Sequence, residues 1–225
     1  EMCIRDRGMT VRAKICGLND ATSVRAAVEG GAAFVGFVFY PPSPRAVTSD
    51  EAAQLEAHVP ASVAKVGLFV DAGDEAIDAV LRRCPLDMLQ LHGDESAERV
   101  AELRRRTGIE VMKVIRVAGA DDLEVVPSYY PVADWLMFDA RPAKDMKGAL
   151  PGGNALAFDW LLLRGCTFPL PWMLAGGLNA GNVAEAVRLS GARVVVDTSS
   201  GVEDRPGVKN PDSIREFLEA VALLD

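Results

Sequence analysis

Beyond residue 9 the chain alternates short runs rich in Val, Ile, Leu and Phe with longer stretches in which apolar residues recur at helical spacing. Continuous apolar runs are the mark of parallel strands covered on both faces, and the amphipathic stretches are what covers them. The runs predict strands at Val11–Cys16, Ala33–Phe39, Ala64–Val70, Asp87–Leu91, Glu110–Arg116, Asp134–Asp139, Pro171–Ala175 and Arg193–Asp197, each followed by a helix. The second helix is expected over Ser49–His58, with Ser49 as its cap and Asp50 and Glu51 complementing its dipole. The eighth is expected over Asn210–Leu224, with Pro211 in its first turn and Ile214, Phe217, Leu218 and Val221 on one face. Eight units in a chain of 225 residues suit closure better than an open doubly wound sheet, so the fold class is α/β, a single (β/α)8 TIM barrel. Residues 9–225 read as that one domain, residues 1–8 as a polar, disordered appended leader, and the turn-rich stretch Arg141–Ala155 as a loop overhanging the barrel mouth.

Composition narrows the partners. The formal net charge is −8 with no block of Lys and Arg, so neither nucleic acid nor an acidic membrane is an expected partner, and no apolar run reaches membrane-spanning length. Cys3, Cys16, Cys84 and Cys166 show no paired spacing, and only His58 and His92 could join them as metal ligands. No metal, cofactor or disulfide framework is expected, and the location expected is cytoplasmic. A monomer and a homodimer fit equally.

In such a barrel, side chains at the C-terminal strand ends surround one mouth, where chemistry collects. The first strand ends on Cys16 and the sixth on Asp139. Alternation puts Cys16 on one face with Lys14, and Asp139 with Met137 and Trp135. If both faces point inward, thiol and carboxyl meet across the mouth. A carboxyl partly removed from water holds a proton it can donate, whereas a thiol beside ammonium groups, here Lys14 and Lys113, has a lowered pKa and can accept one. The alternative for Cys16 is a small buried hydrophobe, and for Asp139 a turn cap. In the loop after the second strand, three prolines stiffen the approach to Arg45, which suits a side chain that holds a carboxylate. The last two strands end in small-residue loops, Gly176-Gly177 and Thr198-Ser199-Ser200-Gly201. Gly177, Ser199, Ser200 and Gly201 are candidate donors to a phosphate, which backbone amides can hold without a basic cluster. His92 is read as a satisfied strand-end histidine.

Seven segments carry a resemblance: K-I-C-G-L at 14–18, F-Y-P-P-S-P-R at 39–45, Q-L-H-G at 90–93, F-D at 138–139, F-D-W at 158–160, L-A-G-G-L at 174–178 and V-D-T-S-S-G-V-E at 196–203. In this order the chain resembles the phosphoribosylanthranilate isomerases of tryptophan biosynthesis. The resemblance implies a cofactor-free Amadori rearrangement of N-(5-phosphoribosyl)anthranilate to 1-(2-carboxyphenylamino)-1-deoxyribulose 5-phosphate. It implies Asp139 as general acid and Cys16 as general base, Arg45 at the anthranilate carboxylate, the two small loops at the phosphate, and Asp197 as a substrate-positioning or loop-orienting residue. One segment departs from the family pattern. Gly152-Gly153-Asn154-Ala155 has alanine where glycine is usual, and alanine restricts the backbone. Two other readings remain: another sugar-phosphate isomerase or epimerase on the same barrel, and a catalytically silent phosphate-binding barrel.

Overall fold

The computed structural model describes residues 11–142, 150, 152–191 and 195–224. The leader expected at residues 1–8, the start of the eighth strand and the centre of the 141–155 loop lie outside these. Eight parallel strands form a closed barrel: β1 Arg12–Cys16, β2 Phe34–Val38, β3 Ala64–Phe69, β4 Met88–Leu91, β5 Glu110–Val117, β6 Trp135–Ala140, β7 Trp172–Leu174 and β8 Val195–Thr198. Closure is made by β1 against β8, where Lys14 stands level with Asp197. A two-residue strand, β10 (Val208–Lys209), pairs with β9 (Glu203–Arg205) in a small antiparallel hairpin after β8.

Among the described residues six α-helices cover the sheet: α1 Ala21–Glu29, α2 Ser49–Glu56, α3 Asp74–Leu81, α4 Ala97–Thr107, α5 Val183–Ser190 and α6 Pro211–Ala222. The last begins where the sequence places it, with Asn210 accepting from the amides of Asp212 and Ser213 and Pro211 in the first turn. The cap of α2 is Thr48, not Ser49. Thr48 Oγ1 accepts from Glu51 N while the Glu51 carboxylate accepts from Thr48 N, a reciprocal box that uses one residue earlier than expected. Among the described residues no α-helix follows β5 or β6; short 3-10 turns stand there, at Ala120–Leu123, Val126–Tyr129 and Trp160–Leu163. Pro127 and Pro131 interrupt the first stretch, and proline within a helix removes a donor and clashes with the preceding turn.

Alternation along the strands divides the core in two. One set of side chains packs between sheet and helices. The other fills the barrel lumen with Phe34, Val66, Val114, Val195 and four methionines, Met88, Met112, Met137 and Met173. Methionine is unbranched and adapts to irregular space, which suits a tapering interior. Above this apolar floor the inward positions turn polar: Lys14, Cys16, Gln90, His92, Asp139 and Asp197 are all buried.

Candidate active site

These polar positions open into a cavity lined from several strand ends, the concave kind of place that takes small molecules. Cys16, Arg45, Asp139, Gly177, Asp197, Ser199 and Ser200 all lie on its wall. Gly201 does not. It packs behind the wall, where a Cβ would stand 1.9 Å from Leu178 O, so glycine is needed there for close backbone approach.

At the β1 end, the thiol owes its place to a residue that lacks a side chain. Gly36 is level with Cys16 on β2, and a Cβ on it would lie 2.9 Å from Cys16 Sγ and 3.3 Å from Lys14 Nζ. Sulfur and ammonium therefore flank one small space. Lys14 Nζ donates to Asp197 Oδ1 at 2.7 Å, and both groups are buried. Burial opposes the Lys14 charge, but Asp197 and then Cys16 outweigh it and hold the ammonium above its ordinary pKa. Burial pushes the Cys16 thiol up, against the pull of Lys14 and, more weakly, Lys209. The expected lowering of this thiol is thus corrected, because desolvation dominates over the neighbouring charges. Lys113 is corrected too. It lies on the outer face of β5, where its ammonium is taken by Gly93 O and Glu95 Oε2, each at 2.7 Å.

Across the mouth, Asp139 Oδ1 accepts from its neighbour Ala140 N at 2.8 Å. Its other oxygen meets His92 Nε2 at 3.1 Å, and Gln90 Nε2 stands 3.1 Å from His92 Nδ1. Which ring nitrogen carries the proton sets the direction of both contacts. His92, read from the sequence as a satisfied strand-end histidine, does have partners on both ring nitrogens, whereas Gln90 was given no role, although the strand-end rule that selects Cys16 and Asp139 also selects this pair, two residues apart at the end of β4. Gly152 covers this pair, with a Cβ position 2.7 Å from both Asp139 Oδ2 and His92 Nε2.

The opposite side holds the small loops. Gly176 and Gly177 take φ of +90° and +65°, and a Cβ on Gly177 would come 2.8 Å from Leu156 O. Ser200 Oγ accepts from Ala155 N at 3.2 Å. Lys209 Nζ donates to Ser199 O at 2.8 Å and lies 3.1 Å from Ser199 Oγ. The basic charge behind this loop comes from β10, a source the sequence reading had not assigned. Arg45 is 4% exposed, and its guanidinium fork is already engaged. Nε donates to Glu203 Oε1 at 2.7 Å, and Nη2 donates to Glu203 Oε2 at 2.8 Å and to Gly153 O at 3.0 Å. Arg45 and Lys209 hold Glu203 below the ordinary carboxylate range despite its burial.

Comparison with known proteins agrees with this arrangement. The family model described as N-(5'phosphoribosyl)anthranilate (PRA) isomerase matches residues 13–220. The N-(5'-phosphoribosyl)anthranilate isomerase of Paracoccus denitrificans is 57% identical over 210 residues, which are 93% of this chain and 96% of that protein. The crystal structure of the Thermotoga maritima phosphoribosyl anthranilate isomerase aligns with a TM-score of 0.81 at 34% identity, covering 94% of this chain and 98% of that one. A phosphoribosyl anthranilate isomerase in complex with reduced 1-(o-carboxyphenylamino)-1-deoxyribulose 5-phosphate aligns with a TM-score of 0.78 at 33% identity and the same coverage. Fold, strand-end chemistry and sequence therefore converge, and the chain belongs to the N-(5'-phosphoribosyl)anthranilate isomerase family.

Proposed function

We propose that this mouth isomerises N-(5-phosphoribosyl)anthranilate to 1-(2-carboxyphenylamino)-1-deoxyribulose 5-phosphate in tryptophan biosynthesis, with Asp139 as general acid and Cys16 as general base. The observation that carries the assignment is that β1 and β6, three strands apart in the closed barrel, present a thiol and a carboxyl to one cavity with two small-residue loops beside it. Asp139 gives its proton to the ring oxygen of the ribose as the C1–O bond breaks, and the nitrogen lone pair forms the C1=N bond. Cys16, in the minor fraction ionised beside Lys14, removes the proton from C2, and those electrons close the C1=C2 bond and neutralise the iminium. The resulting enolamine moves a proton from its C2 hydroxyl to C1 and becomes the ketone. Acid and base act at successive steps on neighbouring atoms of one fixed sugar, which is what positioning on rigid strands supplies.

Lys14 supports the thiolate as it forms, and Asp197 holds Lys14 in place. Gly177, Ser199, Ser200 and the backbone about Gly201 receive the phosphate, and Arg45 receives the anthranilate carboxylate. Each of these residues comes from a single chain, so the reading holds for a monomer or a homodimer. It is also compatible with a cytoplasmic location: among the described residues Cys16, Cys84 and Cys166 are free thiols, and no helix is long and apolar enough to cross a membrane. The experiment is incubation of the purified protein with freshly made phosphoribosylanthranilate, following the loss of anthranilate-type fluorescence without added metal or nucleotide. Loss at an enzymatic rate is expected, and a rate equal to the buffer blank refutes the assignment.

A further inference from the structure

The sequence suggests an arginine free to clamp a substrate carboxylate with its fork, whereas the structure shows that fork occupied. Of the five N–H groups of Arg45, Nε–H is given to Glu203 Oε1, and Nη2 gives one to Glu203 Oε2 and one to Gly153 O. Nη1 has no partner among the described residues, and its two protons are the donors left for a ligand. Glu203 does more than occupy the arginine. Its Oε1 also accepts from Lys209 Nζ at 2.8 Å, and the same ammonium donates to Ser199 O. The side chains of Arg45, Glu203 and Lys209 are all buried, so this is an ionic chain with little water to screen it, running from the loop after β2 to the loop after β8.

Resting on the function proposed above, we infer that Glu203 is a positioning residue that fixes the direction of Arg45 Nη1 and its spacing from the Ser199–Ser200 loop. The mouth then selects a substrate by the distance between its two anionic ends. A carboxylate and a phosphate joined by a scaffold of the right length engage both ends at once, while either anion alone engages one. Two features of the geometry favour this over a merely structural ion pair. Two nitrogens of one guanidinium are held by two oxygens of one carboxylate, which fixes the plane as well as the position. The carbonyl of Gly153 adds a third hold on the same fork, taking an Nη2 proton at 3.0 Å, and a Cβ on Gly153 would stand 2.5 Å from Nη1, so the loop leaves room for the guanidinium only as glycine.

The test combines Glu203→Gln, Arg45→Ala and the double variant with two readouts: turnover of phosphoribosylanthranilate, and a fluorescence titration with anthranilate alone as a probe of the carboxylate end. Glu203→Gln is expected to raise KM about tenfold with kcat changed less than about twofold, and to weaken anthranilate binding by a similar factor. The double variant is expected to be no worse in KM than Arg45→Ala, because both act through one group. Should Glu203→Gln fail to fold, Glu203→Asp keeps the charge but is too short for the two-point hold, and an intermediate KM is expected. An unchanged KM, an equal fall in kcat, or penalties that multiply in the double variant overturn the inference. Absence of turnover in the unaltered protein removes the isomerase reading alone, since the anthranilate titration still decides the role of Glu203.

Discussion

At the scale of single residues, the site depends as much on missing atoms as on reactive ones. Gly36 makes the space in which Cys16 and Lys14 meet, and Gly36→Ala is expected to displace the sulfur and cut kcat while the fold survives, measured by steady-state kinetics beside a thermal melt. Cys16→Ser removes the thiolate and is expected to lower kcat at least about a hundredfold with little change in KM, in the range of general base catalysis; full activity in that variant would remove the thiol from the mechanism. The thiol also carries a titration test. Burial raises its pKa above the ordinary 9.0, so the alkylation rate of Cys16 in the folded protein, followed by mass spectrometry of its peptide, should climb only above about pH 9. Ala155 is the counterexample, a side chain where its absence would be easier. Its φ is +55°, a region that costs a non-glycine residue about 1–2 kcal/mol. Ala155→Gly is therefore expected to steady the 152–156 segment over the mouth, read as slower proteolytic cleavage there.

At the scale of elements, the ends of the strands were legible and the ends of the helices were less so. Apolar runs fixed by burial on both faces leave little freedom in where a strand lies, and inward alternation followed directly for Cys16 and Asp139. Helix starts are decided by one or two hydrogen bonds. Thr48 and Ser49 carry equivalent hydroxyls, and the reciprocal pair of bonds between Thr48 and Glu51 separates them. Thr48→Ala is expected to cost about 1 kcal/mol by denaturant unfolding, the usual worth of such a cap, and Ser49→Ala a few tenths at most. The stretch after β5 differs from expectation for a related reason: its apolar residues keep helical spacing, but Pro127 and Pro131 withhold donors a helix requires. Least legible were Glu203 and Lys209. The ion pair of Glu203 with Arg45 spans 158 positions, and no local pattern announces a partner that only barrel closure brings near. The same holds for Lys113, whose strand was read correctly while its outward face was not used.

At the scale of the whole molecule, the buried charges that build the mouth also set the pH range over which the barrel is stable. Lys14 has a folded pKa raised above the ordinary 10.5, so its contribution is complete below that value and is lost as pH rises through the folded one. Cys16 acts in the same direction. The unfolded chain releases the thiol proton near 9.0 while the folded chain retains it, and the unfolded state gains from about pH 9 upward. Glu203 works at the other end. Its folded pKa lies below the ordinary 4.5, so the stability it supplies is present above that value and is lost as pH falls through the folded one. Denaturant unfolding across pH should therefore show a plateau between roughly 4.5 and 9 from these three groups, with a decline on each side. Lys14→Met separates the terms. It leaves Asp197 buried without its ammonium, and removing one partner of a buried pair costs about 3–5 kcal/mol. The plateau should fall by that order, and the alkaline decline should still begin near pH 9, where the unfolded thiol releases its proton, while the further loss that Lys14 adds above 10.5 disappears. A Lys14→Met protein with an unchanged plateau would show that the ammonium is not buried beside Asp197, and the support proposed for the Cys16 thiolate would go with it.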